Sequence, residues 1–241
     1  MRTIVLDSSS IISLSTTCLL WILKKLKEIA HVRFVIPRKV KEEVVDISLT
    51  NPNYQLDGIR ILNYIGEGII EVVDDARIQG FASRFLDLAN NLFVARGRSL
   101  KLIHYGEAEV VALSKIVGTK NLCVDEKTMR ILLEDPIALK RLMERKLHTP
   151  IEIRNERLEE LKKNYGDFLI FRSAELLMIS YRRGVFTDFL AGCGVDGWIR
   201  KRFLRGALTS LKLNGCSISR DEILEYVELI SKNHSESELS S

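Results

Sequence analysis

Short apolar runs alternate with segments of helical spacing over the first two thirds of the chain. Short apolar runs, most of them with several β-branched residues, predict strands at about 3–6, 32–36, 69–73 and 121–124. Apolar positions with helical spacing predict helices at about 8–26, 39–47, 78–96, 106–118 and 127–134. Strands that alternate with helices are typical of βαβ crossovers. We therefore predict an α/β fold with a central, mainly parallel sheet flanked by helices.

The pattern changes near residue 156, after which only helical spacing is visible. The last residues, NHSESELSS, show no apolar period. We predict an α/β domain at 1–155, a helical C-terminal extension at 156–234 and a disordered tail at 235–241.

Composition narrows the class of protein. The 241 residues are 46% hydrophobic and carry a net charge of +4, which excludes a disordered chain and permits a polyanionic partner without requiring one. The four cysteines contain no C-x-x-C pair, so we expect free thiols, with Cys18 and Cys123 buried in apolar runs, rather than a zinc site. Residues 8–23 are uncharged but shorter than the ~20 residues of a membrane span. These features predict a cytoplasmic protein that does not bind membranes.

Acidic residues stand at the ends of several predicted elements. Asp7 and Asp125 directly follow strands, and ligands bind outside the carboxyl ends of strands in open parallel sheets. Glu107 lies in the first turn of a predicted helix. Glu43 is three residues after Val40 and four before Ile47, so we expect it on their apolar face. Taken singly, each acid has a simpler interpretation as a cap, a first-turn residue that complements the helix dipole, or a surface residue.

Taken together, the same acids predict a metal site. Converging carboxylates repel one another unless a cation lies among them, and Mg²⁺ or Mn²⁺ takes oxygen ligands of this kind. An ion held there could activate water for phosphodiester cleavage.

Four segments carry a family resemblance. The segments TIVLDSSSII, P-x-x-V-x-x-E-V at 37–44, G-E-A-E-x-x-A-L at 106–113 and LCVDEKTMR at 122–130 resemble, in order, the four acidic motifs of PIN-domain nucleases. The chain is most similar to archaeal VapC-like PIN proteins with a C-terminal helical extension. The resemblance implies a PIN-like fold, Mg²⁺- or Mn²⁺-dependent endoribonuclease activity, a homodimer, and a protein partner such as an antitoxin.

The resemblance also implies roles for individual residues. It makes Asp7, Glu43, Glu107 and Asp125 the catalytic metal-site carboxylates, and Ser9 a hydroxyl neighbour of the metal. Glu126 is implied as a substitute for Asp125 or as its partner in the outer shell. Many family members have aspartate in place of Glu107 and Ser or Thr in place of Val124.

A basic cluster in the extension has two interpretations. Trp198 and Phe203 are interleaved with basic residues, which could contact RNA phosphates while the aromatic rings stack on bases. A solvated basic helix face with the aromatics packed inward explains the same pattern. The basic residues of this cluster are Arg200, Lys201, Arg202 and Arg205.

These observations favour a metal-dependent endoribonuclease, of toxin type or involved in RNA processing. The alternative is a non-catalytic PIN-like module for RNA binding or assembly. A third interpretation, a phosphatase with Asp7 as its nucleophile, lacks a supporting serine and lysine motif set.

Overall fold

A computed structural model describes residues 2–193 and 197–238, with the backbone alone described at 231–238. The elements in chain order are β1 Arg2–Leu6, α1 Ser8–Thr16, α2 Trp21–Ala30, β2 Val32–Pro37, α3 Arg38–Lys41, a π-helical segment Glu42–Ile47, α4 Ser48–Thr50, α5 Gln55–Gly66, β3 Ile70–Val73, α6 Arg77–Asn90, β4 Phe93–Ala95, β5 Arg98–Ser99, α7 Tyr105–Val117, β6 Asn121–Cys123, α8 Lys127–Glu134, α9 Pro136–Leu147, β7 Glu152–Ile153, α10 Asn155–Tyr165, β8 Leu169–Phe171, α11 Ser173–Arg182, α12 Thr187–Ala191, α13 Gly197–Leu213 and α14 Arg220–Glu238.

The centre of the fold is a five-stranded sheet in the order β3-β2-β1-β6-β8. All four neighbouring pairs are parallel. Burial of the apolar runs on β1, β2 and β6 explains why they form the middle of the sheet, since strands covered on both faces are continuously hydrophobic. The predicted α/β fold with a central parallel sheet and flanking helices is confirmed.

The predicted helix at 78–96 is wrong in its last turns. Helix α6 ends at Asn90, and β4 and β5 then form a hairpin that joins β7 in a small antiparallel sheet. The two turn residues, Arg96 and Gly97, have φ angles of 51° and 73°. Two successive left-handed residues are the mark of a tight hairpin turn and cannot continue a helix.

The extension also differs from its prediction as helix alone. Residues 169–171 form β8, which pairs with β6 and completes the edge of the main sheet. The run LIF was too short for its period to distinguish a strand from a helix. Helix α14 includes the backbone of 235–238, so it extends into the predicted tail, while 239–241 lie outside the described residues.

The predicted helical stretch at 8–26 is broken. Helices α1 and α2 meet at an angle of 109°, and Cys18 between them has a left-handed φ of 56° and is exposed, so the expectation that it is buried was wrong. Cys123 is buried as expected. Within the described ranges no single helix is long and apolar enough to cross a membrane, and only the bent α1–α2 pair meets that criterion by length and composition.

Candidate metal centre

Asp7 lies at the carboxyl end of β1 and begins α1. Its Oδ2 accepts hydrogen bonds from the Ser9 backbone N–H at 3.2 Å and from the Ser9 hydroxyl at 2.5 Å. The residue is 2% exposed, and its Oδ1 accepts no hydrogen bond within the described part of the chain. Burial raises the pKa of Asp7 to about 6, against the opposing effect of the Ser9 hydrogen bonds. The N-cap interpretation of Asp7 is thus correct for Oδ2 and does not account for Oδ1, which has no partner among the described residues.

Glu107 lies in the first turn of α7, where its Oε2 accepts the His104 backbone N–H at 2.7 Å. Burial raises the pKa of Glu107 to about 8, and the negative charges of Asp7, Glu126 and Glu43 act in the same direction. Glu107 is therefore half-buried in an electrostatically negative environment.

Glu43 lies on the π-helical segment and approaches the start of α7. A Cβ atom on Gly106 would lie 2.5 Å from Glu43 Oε1, so the carboxylate fills the space that glycine leaves beside Glu107. The expectation that Glu43 shares a buried face with Ile47 was wrong, because Ile47 is 58% exposed. The wider π-helical turn changes the angle between successive side chains, and such turns are frequent at functional sites.

Asp125 and Glu126 follow β6 and point to different partners. Asp125 is fully buried, and its carboxylate accepts the backbone N–H and the hydroxyl of Ser173 at 2.7 and 2.6 Å. Glu126 is half-buried, and its Oε2 accepts the Met129 N–H at 2.6 Å. Of these two acids, Glu126 is the one whose charge contributes to the raised pKa of Glu107.

The part of the chain that carries these acids matches a known protein family. A family model described as a PIN domain (DUF3368) matches residues 3–135, which include every acid of this cluster. The chain belongs to this PIN-domain family. A search of curated proteins finds no match. PIN domains are generally nucleases, and this one has the nuclease-type fold.

The PIN-domain acids fit a hard divalent cation by their chemistry. Asp7 Oδ1 is a buried carboxylate oxygen that accepts no hydrogen bond from the described residues, and the charges of Asp7, Glu43 and Glu126 raise the pKa of Glu107. A cation with oxygen ligands would give Asp7 Oδ1 a partner and would offset the repulsion between the carboxylates. Within the described ranges, however, no three His, Cys, Asp or Glu side chains already stand in the geometry of a formed metal site. An ion bound here would therefore require these carboxylates to move closer together.

The basic cluster of the extension lies on α13. Lys201, Arg202 and Arg205 are exposed, whereas Arg200 is half-buried. Trp198 is 59% exposed, and the Arg202 guanidinium lies 4.2 Å from its ring centroid. Phe203 packs inward against Phe186. The cluster therefore combines a basic face with one exposed aromatic ring.

The sequence interpretation did not single out Ser173, which binds both oxygens of Asp125. The segment R-S-A-E at 172–175 resembles a helix start, with Glu175 positioned to cap the backbone of Arg172. That signal could have located the start of α11, but not its contact with Asp125.

Proposed function

We propose that this PIN-domain protein is a metal-dependent endoribonuclease that cleaves RNA phosphodiester bonds. Asp7, Glu43 and Glu107 hold Mg²⁺ or Mn²⁺, and one of the two acids after β6 completes the set. The observation that carries this proposal is the buried Oδ1 of Asp7, which accepts no hydrogen bond from the described residues, together with the nearby Glu107, whose pKa burial raises to about 8. A bound ion supplies an activated water and positive charge at the scissile phosphate. The side chains orient that ion, with Ser9 fixing the Asp7 carboxylate.

The basic face of α13 is the proposed RNA-binding surface. The 17-residue helix is about 25 Å long. Its C-terminal end leads into the loop where the Ser217 N–H bonds to the Asp125 carbonyl, whereas Trp198 lies near the opposite end. A single strand bound along Lys201, Arg202 and Arg205 would therefore run toward the metal centre. Exposed Trp198 offers a ring for base stacking.

Finer aspects of the function rest on the resemblance to archaeal VapC-like proteins. From it we propose either a toxin role with an antitoxin partner or a role in RNA processing. We also propose that the protein is cytoplasmic. A homodimer has further support on α5, where Leu56, Ile59 and Leu62 are exposed along one side of the helix.

Cleavage of end-labelled structured and unstructured RNA tests the proposal. We expect cuts with Mn²⁺ or Mg²⁺, none with EDTA, and none from a folded Asp7→Asn variant. Glu43→Gln should also abolish cleavage. Glu42→Gln is its matched control, because Glu42 pairs with Lys39 and Arg38 on the surface and should keep activity.

A non-catalytic RNA-binding module is the second candidate. It is favoured by the engagement of Asp125 with Ser173 and by the lack of a formed metal site among the described residues. RNA binding without cleavage under any divalent ion would support this candidate and refute the nuclease.

A further inference from the structure

Every polar group of Asp125 is already engaged within the protein. Its two carboxylate oxygens accept from Ser173, its N–H donates to the Ser9 hydroxyl at 3.1 Å, and its carbonyl accepts the Ser217 N–H at 3.2 Å. Ser173 is the first residue of α11, where unpaired N–H groups and the helix dipole favour an anion. Hydrogen bonds to an ionised acceptor are the strong ones in proteins.

Moving Asp125 onto a metal ion would break this arrangement. The Ser173 N–H and hydroxyl are buried and would lose their acceptor, and an unsatisfied buried donor is expensive. The carboxylate of Glu126 is held by fewer hydrogen bonds than that of Asp125. One of its oxygens caps α8 at Met129, and the other accepts no hydrogen bond from the described residues.

The contact between Asp125 and Ser173 also reaches Asp7. The Ser9 hydroxyl accepts from the Asp125 N–H and donates to Asp7 Oδ2. Asp125 therefore holds Ser9, and Ser9 leaves only Oδ1 of Asp7 available to a cation.

The neighbour of Ser173 anchors the same contact to the rest of the extension. The guanidinium of Arg172 is buried, donates to the Ser217 carbonyl at 2.8 Å and pairs with Glu222 of α14 at 2.8 Å. It also pairs with Glu175 of α11 at 2.5 Å. Two separate segments of the extension, at Ser173 and at Ser217, thus meet at Asp125.

We propose that Asp125 and Ser173 form a structural clasp that builds the C-terminal extension into the metal centre, and that Glu126, rather than Asp125, supplies the fourth metal-binding carboxylate. The second half rests on the proposed function. The clasp itself requires no metal.

Two measurements on the full chain separate the roles: the melting temperature in EDTA and the Mn²⁺ affinity from calorimetry. Ser173→Ala should lower the melting temperature in EDTA by about 4–10 °C, because it removes a hydrogen bond to a buried charged group. Asp125→Asn should keep Mn²⁺ affinity within about threefold, since the amide can still bond to Ser173. Glu126→Gln should weaken Mn²⁺ at least tenfold with little change in melting temperature, because its amide oxygen can still cap α8. Glu134→Gln, at the other end of α8, is the matched control and should change neither value.

Each half has its own refutation. An unchanged melting temperature for Ser173→Ala overturns the clasp. Loss of Mn²⁺ binding in a folded Asp125→Asn, or wild-type affinity in Glu126→Gln, overturns the assignment of Glu126. A wild-type protein that binds no Mn²⁺ refutes the proposed function and the role of Glu126 together, while the melts in EDTA still decide the clasp.

Discussion

The raised pKa values of Asp7 and Glu107 predict that the metal-free protein loses stability as the pH rises from 5 to 8. Burial favours the protonated acids, with pKa values of about 6 for Asp7 and about 8 for Glu107 in the folded protein, against 3.8 and 4.5 ordinarily. Between the two values of each acid the folded state binds more protons than the unfolded state. The free energy of unfolding therefore falls with rising pH in this interval.

The size of the effect follows from the shifts. At about 1.4 kcal/mol per pKa unit, ionisation between pH 5 and 8 would cost about 3.5 kcal/mol at Glu107 and about 1.4 kcal/mol at Asp7. Glu107 is partly exposed, so we take about 3 kcal/mol for the pair, which corresponds to a fall of roughly 6–12 °C in melting temperature. Carboxylates with a lowered pKa do not contribute to the change in stability between pH 5 and 8. An example is Glu222, where burial is outweighed by Arg172 and the pKa is about 2. Such groups are ionised in both states across this interval.

Thermal melts in EDTA at pH 5, 6, 7 and 8 measure the effect. Glu107→Gln should flatten the profile and melt higher than wild type at pH 8, since the neutral amide avoids the cost and can still accept the His104 N–H. Saturating Mn²⁺ should restore stability to wild type at pH 8 and not to this variant. A wild-type melting temperature that rises between pH 5 and 8 in EDTA, or a Glu107→Gln variant less stable than wild type at pH 8, would refute the reasoning.

Two further predictions concern the glycine beside Glu43 and the basic face of α13. Gly106→Ala should displace the Glu43 carboxylate and weaken Mn²⁺ binding in calorimetry without unfolding the protein. Gly80→Ala in α6, with open space at its Cβ, is the control and should only stabilise the protein by about 0.5–1 kcal/mol. Equal Mn²⁺ affinity in both variants would contradict the placement of Glu43. Lys201→Ala and Arg205→Ala should each weaken RNA binding and reduce the slope of log affinity against log salt concentration by about 1. Lys162→Ala, at an exposed position on α10, is the control and should change neither. Equal slopes in all three variants would exclude α13 as the RNA surface.

Local patterns in the sequence determined the layers of the fold and the positions of the candidate acids along it. The apolar runs at β1, β2 and β6 identify strands because burial on both faces requires continuous hydrophobic residues. Asp7 and Asp125 could be placed at one edge of the sheet because parallel strands end on the same side. The order of the acidic motifs then indicated the PIN family, which the match over residues 3–135 confirms.

Long-range packing decided what those patterns left open. The hairpin after α6 depends on pairing with β7, and β8 is a strand because β6 offers it an open edge. The different roles of Asp125 and Glu126 also depend on long-range packing. The two acids are adjacent, so spacing could not assign their directions, and Asp125 is held by a serine 48 residues further along the chain. Only the folded chain brings that partner to the site, because the energy of a buried carboxylate depends on the donors around it and not on its neighbours in sequence.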